Sequence, residues 1–217
     1  MTVPGTGSFE QVLSNAANLS IGEQYRLLKD LEARLEQQVD RFAATVEQVE
    51  LYAGRYDQQC SINDRRAEQD LRGWFANNRY LDREHFLELC FWKSPRPIRL
   101  YRLNDETRII ELTRAAMASS DERVKMESLL GSKGGLKGVG YPVASVILHF
   151  AHPDRYMILD RRALWSLGWS IPVSYDLRFW VRYTAHVRGL ASSLGLELRT
   201  LDKALWQFSR EKERAHQ

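Results

Sequence analysis

The chemistry-bearing stretch of this sequence runs from Leu129 to Ala151, Leu-Leu-Gly-Ser-Lys-Gly-Gly-Leu-Lys-Gly-Val-Gly-Tyr-Pro-Val-Ala-Ser-Val-Ile-Leu-His-Phe-Ala. Within it Leu136, Lys137, Gly138, Val139 and Gly140 read as a tight turn between two helices. Gly138 and Gly140 are expected to adopt backbone conformations closed to other residues and to let a ligand come close. Pro142 falls in the first turn of the following helix, where its fixed φ and missing N–H cost little. A glycine turn leading into a helix N-terminus presents unpaired N–H groups, which suits a phosphate. The same residues would also serve as a connector with a packing role only. Eighteen residues after Pro142 stands Asp160. A carboxylate there could oppose developing positive charge or activate a water, or could simply cap a helix over Arg161–Leu167.

The elements that must position these residues read as helices. From Ile21 an apolar series continues through Tyr25, Leu28, Leu31, Leu35, Val39, Phe42, Val46 and Val49 to Tyr52 or Ala53 in steps of three and four. With no Pro, and no Gly between Gly22 and Gly54, this predicts one long amphipathic helix over 21–53. It could zip to a second copy as a homodimeric coiled coil or pack on its own domain, and the sequence favours neither. The first twenty residues are expected to be mobile, with at most a short helix near Phe9–Leu13. An aromatic-rich pattern follows the polar stretch Asp57–Asp70, and Asp82 is placed to cap the helix that ends at Trp92 and Lys93. Pro95 and Pro97 stop it. Asn104 or Asp105 would cap Glu106–Ala118, and Ser120 or Asp121 would cap Glu122–Leu130. Further helices are expected near Ser174–Leu194 and Thr200–Lys212. The best strand candidate, Ile98–Leu103, is short and interrupted by Arg, so an all-α fold is predicted.

Hairpin, second helix, the Pro-containing break His152-Pro-Asp-Arg-Tyr156, the apolar lead-in Met157-Ile-Leu159 and then Asp160 resemble the helix-hairpin-helix DNA glycosylase superfamily, of the endonuclease III and 8-oxoguanine glycosylase type. The resemblance is firm over roughly 122–168, suggestive over 80–121 and absent elsewhere. It implies a helix-hairpin-helix glycosylase-like core, with Asp160 as the catalytic carboxylate and Leu136–Gly140 as the DNA-backbone hairpin. It also implies a monovalent cation on the hairpin carbonyls. The position of the lyase lysine in bifunctional members holds Pro142, so a monofunctional enzyme is expected. The hairpin proline of the family is Lys137 here, which could add a phosphate contact. Trp92, Lys93, Tyr141 and Pro142 are candidates for the base pocket, each aromatic having core packing as its alternative. Arg96, Arg99, Arg161 and Arg162 are candidates for phosphate contacts. His149 and His152 have no metal-ligand spacing and read as structural.

Composition bounds these readings. The 217 residues carry a net charge of +3, which hides an asymmetry: 7 Lys+Arg against 12 Asp+Glu over residues 1–70, and 24 against 16 beyond. The basic part is compatible with DNA as partner. Cys60 and Cys90 sit in no CxxC or Cys/His cluster, which argues against a zinc site and an iron–sulfur cluster. No signal-peptide pattern and no membrane-length apolar run is present, so a cytoplasmic protein with no membrane partner is expected. The reading divides the chain into a mobile terminus (1–20), a long helical extension (21–70) and a glycosylase-like domain (71–217). It expects a DNA glycosylase acting in base excision or DNA repair. A non-catalytic helix-hairpin-helix DNA-binding protein and an oligomeric helical scaffold are the alternatives.

Overall fold

Side-chain caps set where most helices begin. In the computed structural model, which describes residues 9–39 and 42–215, Asp82, Asp105, Asp121 and Asp176 each accept a backbone N–H from the first turn of the helix that follows. The N–H groups of a first turn lack intrahelical partners, which is why Asp recurs there. The helices are α1 (Phe9–Ala17), α2 (Ile21–Val39), α3 (Val46–Gln59), α4 (Ile62–Asn77), α5 (Arg83–Lys93), α6 (Ile98–Tyr101), α7 (Glu106–Ala118), α8 (Glu122–Leu129), α9 (Tyr141–Ala151), α10 (Arg161–Ser166), α11 (Leu177–Leu194) and α12 (Leu198–Ala215). The fold is all-α. No strand occurs among the described residues, and the expected strand candidate at Ile98–Leu103 is instead the short helix α6. None of these helices is long and apolar enough to cross a membrane.

The chain divides into two compact units, residues 1–41 and 42–217. In the first, α1 and α2 carry exposed apolar side chains, among them Ile21, Tyr25 and Leu28 on successive turns of α2. The mobile terminus expected for residues 1–20 lies partly outside the described residues; from Phe9 to Ala17 the chain is helical.

The single helix expected over 21–53 is two helices. α2 ends at Val39, and α3 starts afresh at Val46, where the Thr45 side chain accepts the Gln48 N–H. Just before it, Phe42 is buried against Tyr52 and Phe208. Val49 and Ala53, expected to lie on a seam with α2, are buried in the core of the second unit. Among the described residues, the apolar face of α3 is therefore taken up inside the second unit. The boundary expected near residue 70 falls instead after residue 41, because α3 and α4 belong to the second unit.

That unit is built around α9, whose residues Val143 to Phe150 are all buried. A helix apolar on every side must be enclosed, and α4, α5 and α8 pack on it. The last helix, α12, packs along α3 and against α10.

Candidate active site

The glycine turn is held by side chains outside it. Asn104 donates from Nδ2 to the Lys137 carbonyl (3.1 Å) and accepts the Lys137 N–H on Oδ1 (2.8 Å). Arg108 donates to the carbonyls of Gly134 and Gly135. Gly138 has φ +84°, and a Cβ there would come within 2.8 Å of the buried Tyr101 ring. Gly140 differs from expectation. Its φ of −107° suits any residue, and a Cβ would meet nothing closer than Pro142 Cδ at 3.9 Å. Of these two glycines, Gly138 alone is demanded by the fold. Gly140 is the exposed N-cap of α9, which has no side-chain cap.

The hairpin carbonyls on which the resemblance implies a monovalent cation also take part in the turn's own hydrogen bonds. The carbonyls of Leu136, Val139 and Gly140 accept backbone N–H groups from Val139, Gly131 and Ala144, and that of Lys137 is taken by Asn104. A carbonyl oxygen has two lone pairs, so an accepted N–H leaves one for a cation.

Three side chains fix the segment that delivers Asp160. Residues Tyr156 to Leu159 are buried. Ser145, early in α9, accepts the Leu159 N–H (2.8 Å) while its hydroxyl donates to the Pro142 carbonyl (2.7 Å). Tyr183 donates its hydroxyl to the Ile158 carbonyl (2.8 Å). His149 Nδ1 donates to the Tyr156 carbonyl (2.8 Å), which places its proton on Nδ1. Burial holds this imidazole neutral, its pKa brought down to about 3.

Asp160 then uses both oxygens. Oδ1 accepts the Arg162 N–H at 2.8 Å, capping α10, and Oδ2 accepts from Lys93 Nζ at 2.5 Å. Burial alone would raise its pKa, but the charge and hydrogen bond of Lys93, with the Arg162 N–H, outweigh that and lower it. The aspartate is an anion at neutral pH.

Asp160 and Lys93 lie in the wall of a cleft of about 480 Å³. Trp92 and Arg162, also expected at the site, share it. Tyr141 and Pro142 do not line it, and both are half-buried on α9. Arg96, Arg99, Arg161 and Lys137 are exposed outside the lining.

The rest of the cleft comes from regions where the resemblance gave no guidance. Tyr56 and Ser61 contribute from α3 and the start of α4, and Arg199, Asp202, Trp206 and Arg210 from α12. Arg199 is buried and branched. Nε and Nη2 bind the two Glu68 oxygens at 3.1 and 2.7 Å, Nη1 binds Asp202 Oδ2, and Nη2 also reaches the Tyr56 hydroxyl at 3.3 Å. Burial would raise the Glu68 carboxyl, yet Arg199, aided by Lys203 and Arg72, brings it down to about 2. The aromatic walls are already paired with cations. Arg199 lies 5.3 Å from the Tyr56 ring and 5.7 Å from that of Trp92, and Arg162 and Arg210 lie 5.4 and 5.2 Å from that of Trp206. The signal for this wall was present in α12, where Arg199, Asp202, Trp206 and Arg210 recur at helical spacing between Leu201, Leu205 and Phe208.

No group of three or more His, Cys, Asp or Glu side chains placed for a metal occurs among the described residues. Compared with protein-family models, curated proteins and solved structures, the chain matches none.

Proposed function

We propose that this chain binds DNA through the Leu136–Gly140 hairpin and hydrolyses the N-glycosidic bond of a damaged or modified base. The observation that carries this reading is Asp160, a lowered-pKa carboxylate in a cleft wall, fixed through Ser145 to the helix that the hairpin opens. Cleavage of a glycosidic bond places positive charge on the sugar, and a prearranged anion stabilises it. Asp160 supplies that anion and takes a proton from the attacking water. Lys93 is a positioning residue that keeps the carboxylate ionised and aimed. The unpaired N–H groups at the start of α9 and the side chain of Lys137 take backbone phosphates.

The test is base release from a panel of duplexes carrying deaminated, oxidised and alkylated bases. Wild type is expected to release at least one of them, and Asp160→Asn to bind the same duplex with release lost. Salt-dependent binding without release from any duplex would leave the non-catalytic DNA-binding protein, and no binding would leave the helical scaffold.

One observation favours a second reading: Lys93 places an amine 2.5 Å from Asp160, although the expected hairpin position holds Pro142. In that reading Asp160 takes the Lys93 proton, the amine attacks C1′ of the sugar and the base leaves with the bonding electron pair. Ring opening then gives an imine. Borohydride would trap this imine as a covalent protein–DNA adduct that Lys93→Gln fails to form. Base release with no adduct returns the hydrolytic reading.

A further inference from the structure

The cleft holds a second carboxylate whose surroundings oppose those of Asp160. Asp202 is almost wholly buried, 4% exposed, yet belongs to the cleft wall. The groups facing it come from four elements. Arg199 on its own helix donates to Oδ2, Lys93 of α5 and Asp160 act on it through their charges, and Tyr183 of α11 shares its electrostatic surroundings.

The buried charges do not balance in its favour. Arg199 gives two hydrogen bonds to Glu68 and one to Asp202. Lys93 makes its hydrogen bond to Asp160. Three carboxylates thus divide the Arg199 guanidinium and the Lys93 ammonium. The further cations nearby act elsewhere, Arg72 and Lys203 on Glu68 and Arg162 on Asp160. Of the three, Asp202 is the most enclosed and has the least cationic charge to itself, so it is where a proton resides most readily. Its carboxyl is pushed up to about 6, burial outweighing the opposing pull of Arg199 and Lys93.

Paired titratable groups whose environments drive them apart, in one cleft, divide into acid and base. We infer that Asp202 is the acid that protonates the departing base in this cleft, an assignment that rests on the glycosylase reading above. The carboxyl proton passes to an acceptor nitrogen or oxygen of the base. The C1′–N bond breaks, and its electron pair leaves with the now neutral base. Water adds to the sugar cation at C1′ and gives its proton to Asp160, and exchange with solvent restores Asp202. Such an acid matters for neutral bases, which leave poorly as anions. It does little for a base that is already cationic. The substrate class this assigns is therefore an extruded neutral nucleobase with an acceptor on its edge.

The experiment compares single-turnover release by wild type and Asp202→Asn over pH, on duplexes carrying uracil, hypoxanthine or 8-oxoguanine and on one carrying cationic N7-methylguanine. For a neutral base, wild-type release should decline as pH rises above about 6, the alkaline limb of a general acid. Asp202→Asn should lose that limb and be about 10²-fold slower. Release of N7-methylguanine, where it occurs, should change less than about threefold, against the general-acid contribution expected for neutral bases. Equal slowing of neutral and cationic bases, or an unchanged pH profile in the variant, would overturn the assignment and leave the glycosylase reading standing. Should Asp202→Asn fail to fold, the wild-type profile decides alone: a neutral-base rate that stays flat from about pH 6 to 8 removes the acid. A wild type that releases nothing fails earlier, at the glycosylase reading itself, and the acid falls with it.

Discussion

Lys93 Nζ and Asp160 Oδ2 meet at 2.5 Å, one at the end of α5 and the other just before α10. Neither side chain is more than about a quarter exposed, with 11% and 22% of each accessible. Removing the amine leaves burial opposed chiefly by the Arg162 backbone. Lys93→Met should therefore raise the Asp160 pKa, and the acidic limb of the pH–rate profile should move to higher pH. An acidic limb that stays in place would show that Lys93 does not hold the charge state. Asp160→Asn keeps a good N-cap but strands the ammonium, and should lower unfolding stability by about 1–3 kcal/mol in urea titration.

The hairpin glycines separate folding from binding. Gly138→Ala meets the Tyr101 ring and requires a positive φ. It should destabilise by about 1–3 kcal/mol, read as a lower urea midpoint. Gly140→Leu meets only Pro142 Cδ, at an ordinary contact distance of 3.9 Å, and keeps an ordinary φ. It should unfold like wild type while DNA affinity drops at least about tenfold, because its side chain covers the N–H groups of α9. Unchanged affinity in a stable Gly140→Leu would mean that DNA does not approach this turn.

Ser145 joins the hairpin helix to the aspartate segment. In Ser145→Ala the buried Leu159 N–H loses its acceptor, which costs about 1–3 kcal/mol of stability. On the proposed function the variant should release base more slowly at unchanged DNA affinity, since Asp160 shifts relative to α9. A slower rate that arises wholly from weaker binding would contradict this.

Acid should weaken the fold partly through His149. The folded imidazole stays neutral down to about pH 3, whereas the unfolded one takes a proton near its ordinary value of about 6.5. The unfolded state then binds more protons. Stability is fully present above about pH 6.5 and is lost as pH falls, by up to about 1.4 kcal/mol per unit. Glu68, lowered to about 2 from 4.5, acts in the same direction in a more acidic window. Asp202 acts oppositely: its contribution is full below 3.8 and lost as pH rises through about 6. Melting temperature measured against pH should fall less steeply for His149→Gln than for wild type below about pH 6.5. Parallel curves would remove His149 as the cause.

Helix limits were legible where a cap or a proline marked them. Asp82, Asp105 and Asp121 open helices as their sequence positions imply, and the segment after Lys93 stops before Pro95. The break at Thr45 was not legible, because the apolar series keeps a helical step across it and only the burial of Phe42 shows that the chain has turned inward. Asp160, Trp92, Lys93 and Arg162 were singled out and do share a cleft. Their opposite wall was missed for a physical reason. Glu68 and Asp57 sit in what reads as an acidic appendage, yet their charges are matched by Arg199 and Lys203 on a helix far along the chain. A local charge count cannot reveal a pairing of that range.

Tyr56 and Arg210 border the same cleft from the two ends of the second unit. During synthesis the hairpin, Asp160 and Lys93 leave the ribosome well before α12, and until it docks the cleft lacks a wall and Glu68 lacks its guanidinium. Contacts between segments this far apart in the chain slow folding relative to local ones. A nascent chain would thus carry its glycine turn before it carried an enclosed cleft, and on the proposed function catalytic competence would wait for α12 to dock.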